Sequence, residues 1–144
     1  MKAKDYLQQV NKIDAIIKNK LIEKNQWMAI ATSTTAYSDG ERVQSTGSKQ
    51  KMADAVVRIV EMQEEINEYI ELLVDTKESI LKTIENLPTI EYDILHKVYI
   101  QGMNLYNVAL YYDKTYSWVT TIHGRALKHV QDIIEGKGIT YDKE

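Results

Sequence analysis

Residues 52–87 contain neither Gly nor Pro, and strong helix formers fill the run. Val56, Ile59, Val60, Ile66, Ile70, Leu73, Ile80, Ile84 and Leu87 recur with heptad-like spacing, interrupted at Gln63 and Lys77. A helix of about 36 residues reaches roughly 54 Å at 1.5 Å per residue. No isolated helix can bury such a stripe, so this run must pair with another helix. That requirement points to an all-α chain built on a long helical hairpin.

The nearest partner in sequence is a first helix over about residues 3–31. Tyr6, Val10, Ile13, Ile17 and Leu21 follow the spacing of one helix face, and Ile16, Ile22 and Trp27 widen it. Between the two helices lies "TSTTAYSDGERVQSTGSKQ", which lacks periodicity and reads as a flexible loop at about 33–50. The first helix then folds back antiparallel on the second. The second is longer, so its overhang leaves apolar seam for another copy of the chain, and a homodimer through the long helices is expected.

Composition removes several classes of function. Hydrophobic residues at 44% and charged residues at 27% are globular values. The absence of Cys excludes disulfides and the common zinc-site spacings. No apolar run approaches the ~20 residues that span a bilayer, and "MKAKDYLQQVNKID" lacks the apolar core of a signal peptide, so no membrane partner and a cytoplasmic location in a bacterial host cell are expected. The net charge of −3 is unevenly spread. Residues 1–30 carry six Lys against three acids, residues 51–91 four bases against ten acids, and residues 92–144 six of each sign.

No phosphate loop or nucleophile elbow is present, and no enzyme activity or cofactor is expected. His123 and His129 stand six apart on one helix and do not converge, and His96 has no evident partner, so no metal site is expected. The acids of "EMQEEINEYIE" alternate with core positions and read as a solvated face.

Pro88 ends the second helix. Thr89, with Glu91 nearby, starts a third that turns Ile90, Ile94, Leu95 and Val98 inward and stops near Gly102. Asn104 is placed to cap a short helix with Leu105, Val108, Ala109 and Tyr112 inward, and the small Ala109 allows close crossing. Asp113-Lys114 makes a turn, and Thr115 caps a last short helix with Val119, Ile122, Ala126, Leu127 and Val130 inward. Two helices joined by a tight turn behind a supporting helix make a tri-helical helix-turn-helix unit. The expected organisation is a hairpin at 1–87, this unit at 88–135, and a frayed tail at 136–144. Of the six tyrosines from Tyr92 to Tyr116, most are expected in the core or at its boundary, with Tyr116 facing out.

The pattern "LP…Y…G…VA…T…V…I…RAL" over residues 87–127 resembles region 4 of bacterial sigma factors. With "KMADAVVRIVEMQEEINEYIELLVDTKESI" before it and "IHGRALKHV" at its end, the chain is similar to small phage and prophage transcriptional regulators of Gram-positive bacteria, the RinA- and ArpU-like families. The resemblance implies a DNA-binding regulator of phage or prophage genes, with double-stranded DNA as partner and RNA polymerase as a further one. It puts Tyr116, Ser117, Thr120 and Thr121 at base-contacting positions where such modules usually carry several charges. Thr115 and Trp118 lie beside them, and Lys114, Arg125 and Lys128, with Lys97 as a fourth cation, would supply phosphate contacts.

Hydroxyls can bond bases or phosphates, and a Thr methyl can meet a thymine methyl, but this face lacks the guanine preference of a bidentate Arg. Two rivals remain. One is a protein-interaction module docking on RNA polymerase or a sigma factor without reading DNA. The other is a phage DNA-packaging recognition subunit assembled as a ring.

Overall fold

The computed structural model describes residues 1–37 and 46–138. Among them the chain is all-helical. It comprises α1 (Ala3–Tyr37), α2 (Thr46–Ile84), α3 (Thr89–Leu95), α4 (Leu105–Tyr112) and α5 (Tyr116–Ile134), with a π turn over His96–Ile100 after α3. A helical hairpin followed by a small helical unit is the architecture expected from the periodicity.

Several boundaries differ from expectation. α1 continues past residue 31 to Tyr37, and α2 starts at Thr46 rather than at residue 52. Both ends of the expected 33–50 loop are therefore helical, because Ser and Thr only mildly disfavour helix and a growing helix extends through them. The centre of that loop, 38–45, lies outside the described residues, as does 139–144 of the expected tail. The last helix is not short: α5 has 19 residues.

Compactness divides the chain into residues 1–12 with 73–144, and residues 13–72. In the first unit, Ala3, Leu7 and Val10 of α1 bury with Ile80, Ile84 and Leu87, with Leu95 and Tyr99, and with Ala126 and Val130 of α5. The Ala3 amide donates to Gln131 Oε1 at 2.7 Å, and the Tyr6 hydroxyl bonds Ser79 Oγ at 2.8 Å and Thr83 Oγ1 at 3.1 Å. The start of α1 is thus part of the C-terminal unit's core.

Among the described residues, the second unit consists of two helix segments. Lys20 Nζ bonds Glu65 Oε2 at 2.8 Å and lies over the Tyr69 ring, while Lys24 Nζ bonds Gln63 Oε1. Rising numbers on α1 thus meet falling numbers on α2, and the pair is antiparallel. Ile13, Ile17, Ala55, Met62 and Ile66 are buried here. Of the α2 stripe read from the sequence, Ile66, Ile80, Ile84 and Leu87 are buried, while Val56, Val60 and Ile70 are exposed, as is Leu21 on α1. α2 carries two adjacent apolar seams, and a single partner helix covers only one.

After α3 the π turn widens the backbone, with Gln101 N donating to His96 O at 2.9 Å, and Gly102 takes a left-handed φ of 78° that ends the segment. This turn buries Lys97, whose ammonium lies 3.0 Å from Asp93 Oδ1 and 4.3 Å from the Tyr111 ring centroid. Lys97 is consequently not a surface cation available to phosphate, contrary to the sequence expectation. No helix among the described residues is long and apolar enough to cross a membrane.

Candidate nucleic-acid interface

α4 and α5 form a helix-turn-helix whose local chemistry follows from its sequence. Asn104 Oδ1 accepts from Asn107 N at 2.7 Å, and Thr115 Oγ1 accepts from Trp118 N at 3.0 Å. Each side chain thereby satisfies an amide at a helix start that lacks an intrahelical acceptor. Between the caps, Asp113 takes the left-handed conformation, φ 54° and ψ 46°, and donates its amide to Leu110 O. Asp adopts this geometry more readily than most residues, which explains its tolerance where Gly would be easiest. Lys114 N donates to Ala109 O at 3.0 Å, closing the turn.

Behind the turn, Val108 and Ala109 of α4 pack with Val119 and Ile122 of α5 and Ile94 of α3. A second tie is polar. Glu91 of α3 is 1% exposed; its Oε1 bonds His129 Nδ1, and its Oε2 lies 3.5 Å from Arg125 Nε. Burying a carboxylate is costly unless it is paired, and here both partners come from α5. This link between α3 and the last helix was not visible in the sequence: Glu91 read only as a favourable residue near a helix start, and 38 positions separate it from His129.

The expected site residues divide into two groups. Ser117, Thr121 and Lys128 are exposed and fall with Gly124 on one stripe of α5, spaced four, three and four residues apart; Tyr116 and Arg125 flank it. Trp118 and Thr120 are half-buried. Trp118 sets its ring edge-on to Tyr112, 5.6 Å between centroids, and packs on the α4–α5 core, so it covers the turn. Lys114 is exposed, with its ammonium 5.8 Å from the Trp118 ring centroid. Thr115 spends its hydroxyl oxygen on the cap.

Thr120 and Thr121 both donate their hydroxyl protons to Ser117 O, at 3.0 and 2.8 Å. Toward an outside molecule these hydroxyls are therefore left as acceptors, and each also carries a methyl group. Arg125 is half-exposed and held at its Nε by Glu91, which orients the rest of the guanidinium. Gly124 has no internal role that its size explains: a Cβ there would meet nothing within 4 Å. A glycine inside a helix costs about 1 kcal/mol relative to alanine, so this open position is left without a side chain at a cost to stability.

The tyrosines divide more evenly than expected. Tyr99 is buried, Tyr92 and Tyr112 are half-buried, and Tyr106, Tyr111 and Tyr116 are all exposed. The three histidines serve separate contacts. His129 holds Glu91, His123 Nε2 bonds the Tyr99 hydroxyl at 2.9 Å, and His96 Nδ1 bonds Gln101 Nε2 at 2.9 Å. Burial pushes the Tyr99 hydroxyl up to about 12, so it stays protonated and donates to His123. Burial, with the nearby Lys4 charge adding to it, lowers the His123 pKa and keeps the ring neutral as the acceptor. Among the described residues no three His, Cys, Asp or Glu side chains gather as a metal site. Comparison with family models, curated proteins and solved structures yields no match.

Proposed function

We propose that the protein is a sequence-specific DNA-binding regulator of transcription, acting on phage or prophage genes, with α5 entering the major groove. The observation that carries this reading is the α5 stripe of Ser117, Thr121, Gly124 and Lys128, presented by a helix-turn-helix capped at both starts. The bare Gly124 supports it, since removing a side chain from an exposed helix face lets another molecule approach the backbone. Thr121 accepts from the amino groups of adenine or cytosine and sets its methyl against thymine. Tyr116, Lys114, Arg125 and Lys128 contact phosphate, with no guanine fork among them.

Three cations per copy make about six phosphate contacts for two copies, giving a salt slope of roughly −5 in log K against log salt. Genomic selection of bound fragments, followed by footprinting, tests the reading; binding that is absent or insensitive to salt would overturn it. Gly124→Ala sharpens the test. It is expected to stabilise the fold by about 1 kcal/mol in chemical denaturation and to weaken DNA binding at the same time. A stabilised variant with undiminished affinity would remove Gly124 from the interface.

A second reading has one observation in its favour. Tyr106, Leu110 and Tyr111 on the outer face of α4 are each 60–64% exposed, an apolar patch suited to protein. RNA polymerase or a sigma factor docked there would make the module a protein-binding one, either alone or together with DNA reading. Leu110→Asp separates the two: it abolishes polymerase capture under the second reading and leaves binding to naked DNA unchanged under the first.

A further inference from the structure

Among the described residues of the two-helix unit over residues 13–72, the ion pairs that involve α2 lie on one side; on the other side α1 carries the Asp14–Lys18 pair and α2 carries none. On α2 the buried positions Ala55, Met62 and Ile66 define the seam that faces α1. One position earlier run Arg58, Glu61 and Glu65, where Arg58 Nη1 lies 3.5 Å from both Glu61 Oε2 and Glu65 Oε1. One position later run Met52, Val56, Val60 and Ile70, each 39–54% exposed. The corresponding positions on α1 include Leu21 and Met28, 41% and 46% exposed. Two seams offset by one residue point about 100° apart, close to the right angle between a helix's two neighbours in a four-helix bundle. In an antiparallel pair, the position after each facing seam falls on the same side, so both sets of residues share one face.

Two pairs of residues on this face are placed nearly symmetrically. Val56 and Ile70 stand seven residues before and after Gln63. Leu21 and Met28 stand four before and three after Asn25. The two centres lie at one level of the hairpin, because Lys24, the neighbour of Asn25, is hydrogen bonded to Gln63. An antiparallel contact about a two-fold axis sets residue i against a constant minus i, so only a surface with this reflection pattern can pair with itself. Over about 20 residues the face is roughly 30 Å long and two helices wide, on the order of 600 Å² in projection. That approaches the ~800 Å² per partner of stable interfaces.

We propose that this face binds a second copy of the chain, with α2 lying antiparallel on the partner's α2 and α1 on the partner's α1. The two-fold axis passes at the level of Gln63 and Asn25. Val56 packs against Ile70 of the partner subunit, and Leu21 against the partner subunit's Met28. The amides of Asn25, Gln63 and Asn67 form a polar layer at the centre, which fixes register as polar residues do inside coiled coils. Gln63 Nε2 already donates to Asn67 Oδ1 at 2.8 Å, so the layer is partly organised within one chain. The pairing needs no DNA, and its failure would leave the proposed reading helix untouched.

The chain has no Cys, so single cysteines report contacts cleanly. Gln63→Cys is expected to form a disulfide dimer under mild oxidation at least about tenfold faster than Val57→Cys, which lies off the face, since a bridge requires Cα atoms within ~7 Å. Val56→Cys alone should not cross-link, whereas an equimolar mixture of Val56→Cys and Ile70→Cys chains should do so. Val56→Glu with Ile70→Glu should convert the sedimenting species to a monomer with helicity by circular dichroism retained. Efficient Val56→Cys self-linking would indicate a parallel pair and overturn the proposal. So would a parent protein that sediments as a monomer at about 10 µM, or one with no Gln63→Cys linking because α2 packs on the partner's α1.

Discussion

The helices around α5 and the paired segments of residues 13–72 are built from the same residue types but close their surfaces differently. The first unit gathers apolar side chains from α1, α2, α3 and α5 around Leu7, Leu95 and Val130, all fully buried. The second sets two helices side by side, burying one seam and leaving Val56, Val60 and Ile70 half in water. A core supplied by four helices completes itself; two helices bury only the line where they touch. Both regions are long in helix, so helical content alone does not separate them. What differs is how many sides of each helix find a neighbour.

The largest test of this contrast is a matched pair of truncations. Leu95→Ala is expected to cost about 4 kcal/mol in urea unfolding, as for other enclosed leucines. Ile70→Ala should cost under about 0.5 kcal/mol in a monomer, where its side chain is already half solvated. If Ile70→Ala is costly, and the cost grows with protein concentration, the second unit's exposed seam is covered by association.

Next in size is the polar tie inside the first unit. Glu91→Ala removes the carboxylate that holds the buried His129 and the half-exposed Arg125, and should cost about 3 kcal/mol. Glu91→Gln, which keeps one acceptor oxygen, should recover part of that. A smaller effect is expected from Thr115→Ala, about 1 kcal/mol, through loss of the cap on Trp118 N. Guanidinium melts resolve both.

The smallest effect is a pH dependence confined to the first unit. His123 titrates below its usual value in the folded chain, so between that lowered value and 6.5 the unfolded chain binds more protons. Stability is therefore full above pH 6.5 and falls as pH drops through that window. His123→Asn should flatten this part of the curve, and comparison of parent and variant melts at pH 7.5 and 5.5 checks it.

Much of the helix-turn-helix unit was legible in the sequence. Asn104 and Thr115 stand at cap positions before apolar runs, Ala109 is the small residue at the crossing, and Val119, Ile122, Ala126 and Val130 hold one face. These signals are local, and local geometry obeys them. On α2, Ile66, Ile80, Ile84 and Leu87 are buried as read, whereas Val56, Val60 and Ile70, which are just as apolar, are exposed. Periodicity says that a side is apolar and is silent on which neighbour covers it. For the same reason the docking of Ala3, Leu7 and Val10 against α5 was missed, and these residues read simply as the start of a hairpin. Lys97 looked like a surface cation; the wide turn after Leu95, which rotates it inward between Asp93 and Tyr111, leaves no mark in residue spacing.

The contact between the start of α1 and α5 also sets an order of events during synthesis. Ala3 and its acceptor Gln131 are 128 residues apart, and Leu7 waits on Ala126 and Val130 for its burial. At roughly 10 residues per second, the opening turns of α1 leave the ribosome on the order of ten seconds before the helix they rest on. Until then Leu7 and Val10 are a sticky segment without its seat. The C-terminal unit can therefore complete its core only after translation has passed α5, and every nascent chain passes through an interval in which its N-terminal helix is open to chaperones.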